Sequence, residues 1–372
     1  MRAGTIAAMP NAHSHAFQRD LRGLGERNPD DFWSWRTQMM HLAQALDPES
    51  MQRVAAQVYG EMLAAGYGAV GEFHYVHHRP DGTPYEDPNA MAIAVAEAAR
   101  EHGLEIVLLP TAYKRAGWDG RDLPPSPGQR RFCDADVEIY LARVDGLRAW
   151  ARDREGVDVG VAAHSVRAVP ASWLEAIAAY ADRHGLVRHM HAHEQPRELE
   201  ECAAEHGMTP LALLAGTGFL GPRTSVIHGI HISDEDLRLM AETDSIVVSC
   251  PTTEGSLGDG YFPAMRYRDA GVRIAIGSDS NVRVDPFEEV RELETLARRE
   301  RRTRHALLAA HGDLWAETAA TGLESLGLTG AGTIEVDRDH PDLHGVADGD
   351  LPLAIATCAS AAVVSRTVRD AS

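Results

Sequence analysis

The sequence predicts an α/β fold, closed as a (β/α)8 barrel. Three observations lead there. Eight apolar, strand-like runs alternate with helical segments, which implies a parallel sheet, and eight such units imply closure. The runs are continuously apolar instead of alternating, as strands buried on both faces are. No Gly-x-Gly-x-x-Gly turn follows the first run, which disfavours the runner-up, an open doubly wound sheet. The 372 residues hold one barrel of about 250 residues with additions.

The first strand is expected over 5–9, just before Asn11-Ala12-His13-Ser14-His15. The second falls on 69–75 and the third on 105–110. Between them Asp87-Pro88 opens a helix over 89–102 that stops at Gly103. The Pro-, Gly- and Arg-rich stretch 117–131 reads as a loop over the active site. Strands four to six are expected over 158–163, 186–191 and 224–228. Ser233-Asp234-Glu235-Asp236 then opens a helix over 237–243, with acidic residues at its positive end. Strands seven and eight fall on 245–249 and 273–276, and Asp285-Pro286 opens a helix over 287–302. Residues 307–326 read as helical, and β pieces are expected over 351–357 and 361–367. The acidic run 198–205 reads as a solvated helix face, and Met39-Met40 as core filler. Trp33 and Trp35 fit a lid or ordinary packing equally well.

The net charge of −19 argues against nucleic acid or an anionic membrane as a partner. Four cysteines, Cys133, Cys202, Cys250 and Cys358, are far apart and form no Cys-x-x-Cys pair. They read as free thiols of a reducing compartment. No stretch approaches the ~20 apolar residues of a membrane helix. The residues before the His pair are too few for a signal peptide, so a cytoplasmic location is expected.

His13 and His15 share a face of an extended strand, because side chains alternate. With 19 His in the chain, on the order of one such pair arises by chance, so the spacing alone is weak. Position strengthens it. In such barrels the active site lies at the C-terminal strand ends. There the sequence places His13 and His15, then His74, His77 and His78, then His164, then His189, His191 and His193, then His228 and His231, and Asp279. His13, His15, one His of strand five and Asp279 supply the N and O donors of an ion that keeps one position open. Such an ion lowers the pKa of a bound water toward neutrality. Glu194, near the open face, is placed to move protons. His189, His191 and His193 share a face, so spacing alone leaves the strand-five ligand open.

Several segments together resemble the amidohydrolase superfamily, and within it the formimidoylglutamate deiminase (N-formimino-L-glutamate iminohydrolase) branch of histidine degradation. They are Pro10 to Arg19, Phe32-Trp33-Ser34-Trp35-Arg36, Gly71 to His78, Ala163 to Val169, Glu194-Gln195, Leu257-Gly258-Asp259-Gly260 and Gly277-Ser278-Asp279-Ser280. The His-x-His and Ser-Asp elements belong to the whole superfamily. His15-Ala16-Phe17-Gln18-Arg19 and His164-Ser165-Val166-Arg167 are more specific.

The resemblance implies a barrel of the metal-dependent hydrolase kind. His13, His15, His191 and Asp279 would bind one divalent ion, Zn2+ in most relatives, with Fe2+ or Mn2+ as alternatives. The family's Glu-Gln, three residues past its ligand, selects His191; His193 stands where the family has a small residue, as an added polar group or a competing ligand. Glu194 would shuttle protons, His228 would hold the attacking hydroxide, and Asp279 would also act as base. Gln18, Tyr75, His164 and Arg167 would contact the substrate. Arg167 suits a glutamate carboxylate through its bidentate fork; a structural ion pair is its other reading. A two-metal version needs a carboxylated lysine on a middle strand. The only lysine, Lys114, lies beyond strand three, so one ion is expected.

The reaction would convert N-formimino-L-glutamate and water to N-formyl-L-glutamate and ammonia. Deamination of a heterocycle such as guanine or an adenosine derivative is the alternative, and a barrel that binds without turnover a third. Relatives carry further β structure before the His pair. Residues 1–328 are therefore expected to form the barrel, and 329–372 a short β-rich tail, the remnant of a β-sandwich. A reduced β element exposes edges, which implies a homodimer.

Overall fold

The structure, a computed structural model, describes residues 3–25, 32–308 and 312–369. Its centre is a parallel barrel. The strands are β2 (Met9–Ser14), β3 (Tyr67–His74), β4 (Glu105–Ala112), the pair β7 (Val157–Val159) and β8 (Val161–Ala163), β9 (Arg188–Ala192), β10 (Thr224–His228), β11 (Ile246–Ser249) and β12 (Ile274–Ile276). They pair in sequence from β2 to β12, with β7 and β8 both on β4. Helices cover the outside, so the barrel strands other than the short β7 are buried on two sides and their apolar runs are continuous.

The seam between the last and first strands closes the ring. Asp279 N donates to His13 O at 3.0 Å and His15 N donates to Asp279 O at 2.9 Å. A side-chain network reinforces it. Asn11 Nδ2 donates to Ser278 Oγ at 2.6 Å, Ser278 Oγ to Asn281 Oδ1 at 2.7 Å, and Asn281 Nδ2 to Ser14 Oγ at 3.2 Å. Gly277 sits where the strands touch: a Cβ there would lie 2.7 Å from His13 O and 2.9 Å from His13 N. Those atoms belong to a paired strand and cannot swing away. Gly277→Ala is therefore expected to lower stability by about 3 kcal/mol, the upper range for overpacking. A denaturant midpoint unchanged from the parent would refute this.

Four expectations need correction. The first apolar run is not one strand. Residues Ala3–Ala7 form β1, which pairs antiparallel with β13 (Thr333–Asp337), and the barrel strand begins at Met9. Ala8 is the corner, its N–H donating to Gly332 O at 3.0 Å. The 351–357 segment is the helix Leu351–Thr357, not a strand. Seven apolar residues fit either state, and Pro352 in the first turn with alanines behind it favours the helix. β14 (Val364–Val368) does form, against β13. The helix expected over 307–326 begins at Leu314, where Asp313 caps Ala316 N at 3.0 Å; residues 309–311 lie outside those described. The stretch 117–131 carries a small hairpin, β5 (Gly117–Trp118) with β6 (Asp122–Leu123), and does not line the cavity at the strand ends.

The predicted helix starts match well. Ser233 and Asp236 form a reciprocal capping box at Asp234–Glu242, and Asp285 caps Pro286–Arg301. Gly103 ends Ala90–His102 in the left-handed conformation. No helix among the described residues is long and apolar enough to cross a membrane.

Candidate active site

The C-terminal strand ends bring four predicted ligands together. One ligand atom each from His13, His15, His191 and Asp279 lies within 4.8 Å of the others, and all four residues are buried. Asp279 Oδ1 is 3.3 Å from Nε2 of both His13 and His15. His13 Nε2 and His191 Nε2 are 3.1 Å apart. The tautomers follow from the partners. His15 Nδ1 donates to Phe73 O at 2.8 Å and His191 Nδ1 to His164 O at 3.0 Å. A carbonyl only accepts, so each Nδ1 carries the hydrogen and each Nε2 turns a lone pair inward. Burial holds all three imidazoles below their ordinary pKa, and the neighbouring histidines add to this at His13 and His191. Lone pairs this close, beside one carboxylate, fit a divalent cation.

Backbone strain accompanies these donors. Asp279 has φ +45° and His228 has φ +75°, both in the left-handed region. The seam bonds hold Asp279 there, which aims its carboxylate at the two histidines.

His228 stands at the end of β10, its Nε2 3.7 Å from Glu194 Oε1. Burial raises the pKa of Glu194, which favours a carboxyl that can hold a proton. Burial alone would lower His228, but Glu194, Glu254 and Asp279 around it raise it to about 10. Sequence reading missed Glu254. Its Oε1 accepts from Cys250 N at 2.7 Å and faces His228 Nδ1 at 3.4 Å, while Oε2 accepts from Ser249 Oγ at 2.9 Å. A buried carboxylate so braced fixes the orientation of the imidazole.

His15, Gln18, Tyr75, His164, Arg167, His191, Glu194, His228 and Asp279 line one cavity. Gln18 Nε2 donates to Tyr75 Oη at 2.8 Å. His164 packs its ring 5.5 Å from Tyr75 and 5.1 Å from His191. Arg167 lies over the Trp33 ring at 5.3 Å, and its buried Nε has no hydrogen-bond partner among the described residues. The helix Phe32–Gln44 supplies a wall that sequence reading left undecided: Trp35, Arg36 and Met39 all line the cavity. Met39 is thus no mere core filler. A larger cavity of about 780 Å³ lies elsewhere, between the helices Ala90–His102 and Val137–Ala151.

The other strand-end histidines go to structural bonds. His189 faces Ser325 O at 2.9 Å, and His193 Nδ1 donates to His231 O at 2.8 Å. His77 meets Thr111 O at 2.9 Å, and His78 lies 3.4 Å from Asp134. Lys114 Nζ donates to Ala135 O, away from the donors. The acidic run is not wholly solvated: Glu198 is buried and accepts from Glu194 N at 3.2 Å. Two of the quoted segments meet in space, as Gln195 donates to the Asp259 carboxylate.

The comparisons agree with this geometry. The model of the Amidohydrolase family matches residues 3–343. The formimidoylglutamate deiminase of Pseudomonas aeruginosa is 40% identical over 305 residues, which is 81% of this chain and 66% of that protein. A 5-methylthioadenosine/S-adenosylhomocysteine deaminase of Haloarcula marismortui is 28% identical, over 77% of this chain and 60% of its own length. The chain thus spans less than two thirds of the length of these curated relatives. Among solved structures, an amidohydrolase from Brucella melitensis superposes with a TM-score of 0.88 at 34% identity, covering 98% of this chain and 85% of that one. A zinc-bound adenosine deaminase from Xanthomonas campestris shares the fold at 23% identity, with a TM-score of 0.81, over 99% of this chain and 79% of its own. A barrel whose donors meet at the strand ends, matched by that family model over nearly its whole length, belongs to the amidohydrolase family.

Proposed function

We propose that this chain deaminates N-formimino-L-glutamate hydrolytically, giving N-formyl-L-glutamate and ammonia. The observation that carries this reading is the pairing of two guanidiniums, Arg36 and Arg167, with the hydrolytic groups in one cavity. A substrate with two carboxylates uses both half-buried cations, whereas a neutral purine offers no anion to either. The likeness to the Pseudomonas enzyme supports it.

His13, His15, His191 and Asp279 would hold a divalent ion, which when bound would supply Lewis acidity and lower the pKa of a water toward neutrality. The three-nitrogen, one-oxygen donor set suits zinc. Asp279 accepts the proton lost by the water. Water adds to the formimino carbon as Glu194 gives its proton to the imino nitrogen; the C–N bond then breaks as that nitrogen takes its second proton from Asp279 and the new hydroxyl returns its own to Glu194, which releases ammonia and leaves the formyl group. His228, with Nε2 3.7 Å from Glu194 and Nδ1 braced by Glu254, stabilises the oxygen that adds. Arg167 takes a carboxylate in its fork, while Gln18, Tyr75 and His164 orient the chain of the substrate.

Ammonia release from formimino-L-glutamate by metal-loaded protein tests the reading, with guanine and adenosine as rivals. Turnover of a purine and none of the formimino compound would overturn it. Replacing Arg167 by Gln is expected to raise KM for the formimino compound about ten- to a hundredfold, the worth of a charge-assisted bond. Unchanged steady-state KM would remove Arg167 from the binding role.

A further inference from the structure

A second set of metal-binding side chains shares Asp279 with the first. His228, Cys250 and Asp279 are all buried, and one ligand atom of each lies within 4.8 Å of the others. Asp279, whose Oδ1 lies 3.3 Å from Nε2 of both His13 and His15, is thus common to both sets. Cys250 is a free thiol, fully buried, in a small apolar cluster with Ala12, Ile227, Ile246, Val248 and Ala275. No part of the deamination uses it. Around the imidazole of His228 stand Glu194 at 3.7 Å and Glu254 at 3.4 Å. Negative groups thus outnumber the one ring they surround, a field that favours a cation. An imidazole, a sulfur and a carboxylate form a mixed set that suits zinc or cadmium and disfavours magnesium or calcium.

We propose that His228, Cys250 and Asp279 form a second site for a soft divalent cation, filled when that metal is in excess, which inhibits the enzyme. Asp279 would be shared by the two ions. Cys250 gives its thiol proton, and the protonated His228 its imidazolium proton, to solvent as the two metal bonds form, and no electron is transferred. This proton loss, and a set of only three ligands, make the site weaker than the four-donor one. Inhibition follows because the second ion takes the imidazole that the hydrolytic reaction needs; that part rests on the function proposed above.

Cadmium is the probe, because a Cd–thiolate bond absorbs in the ultraviolet where imidazole and carboxylate complexes do not. Protein holding its tightly bound ion is titrated with Cd2+, and separately with Zn2+ while ammonia release is followed. We expect a second equivalent to bind, a thiolate band to grow with it, and turnover to fall in step with zinc occupancy. Cys250→Ser is expected to abolish the band, weaken the second equivalent by at least about tenfold, and relieve inhibition by zinc while basal turnover stays. Cys250→Ala, which adds no polar atom, guards against a folding defect of the Ser variant. One equivalent only, no band, and zinc inhibition equal in parent and both variants would overturn the site. A thiolate band in protein that keeps no ion after dialysis would support this site and overturn the four-donor one instead. A band and a second equivalent without formimino-glutamate turnover would support the site and count against the proposed substrate.

Discussion

Asp279→Asn is expected to strip the tightly bound ion and lower kcat/KM by about a thousandfold, or ~4 kcal/mol of transition-state stabilisation. The substitution isolates charge. Asn tolerates the positive φ of Asp279, so the seam bonds to His13 and His15 persist. It keeps one carbonyl oxygen facing the histidines and removes both the anionic donor and the base. Metal content by elemental analysis, beside steady-state kinetics, reads the two losses. A variant that keeps its ion and loses turnover would assign Asp279 the base role alone. One that keeps both would remove it from the site.

Glu194→Gln is expected to lower kcat by about 10²- to 10⁴-fold, the range of a positioned acid or base, with KM within a factor of a few. The metal should stay, since Glu194 lies outside the four-donor cluster. A Gln here keeps the size and shape of the side chain but cannot carry a proton between water and the leaving nitrogen. Full activity in the variant would refute the proton route while leaving the substrate untouched.

How far these residues were legible follows from the range of the forces that place them. His13 and His15 are fixed by strand alternation, a local property, and the seam brings Asp279 to them because a barrel must close. The choice among His189, His191 and His193 was not legible from spacing. All three share the strand's face, but His193 has turned to φ +59° and bonds to His231 O, while His189 is taken up by the helix at Ser325. Those partners lie 38 and 136 residues away in sequence. Glu254 was hidden for the same reason: it reads as an ordinary first-turn acid of the helix Pro251–Leu257, and only the approach of β10 to that helix puts it behind His228. Arg36 and Met39 belong to a helix whose periodicity reveals a buried face but not that the face covers the strand ends. The tail was misread where an apolar run carries no period. β1 was misread because one continuous run serves two sheets, with the corner at Ala8.

The seam has a consequence for how the protein comes to be made. Of the four proposed metal donors, His13 and His15 lie at the end of the first barrel strand and Asp279 follows the last, with His13 and Asp279 joined only when the ring shuts. An emerging chain presents His13 well before Asp279, and the four-donor cluster cannot exist until Asp279 has been synthesised and docked. A cation that binds the closed ring stabilises it by mass action, by about 4 kcal/mol at a thousandfold excess over Kd. Loading and closure are then one event, so a half-built barrel has neither a stored ion nor a reactive centre to misuse.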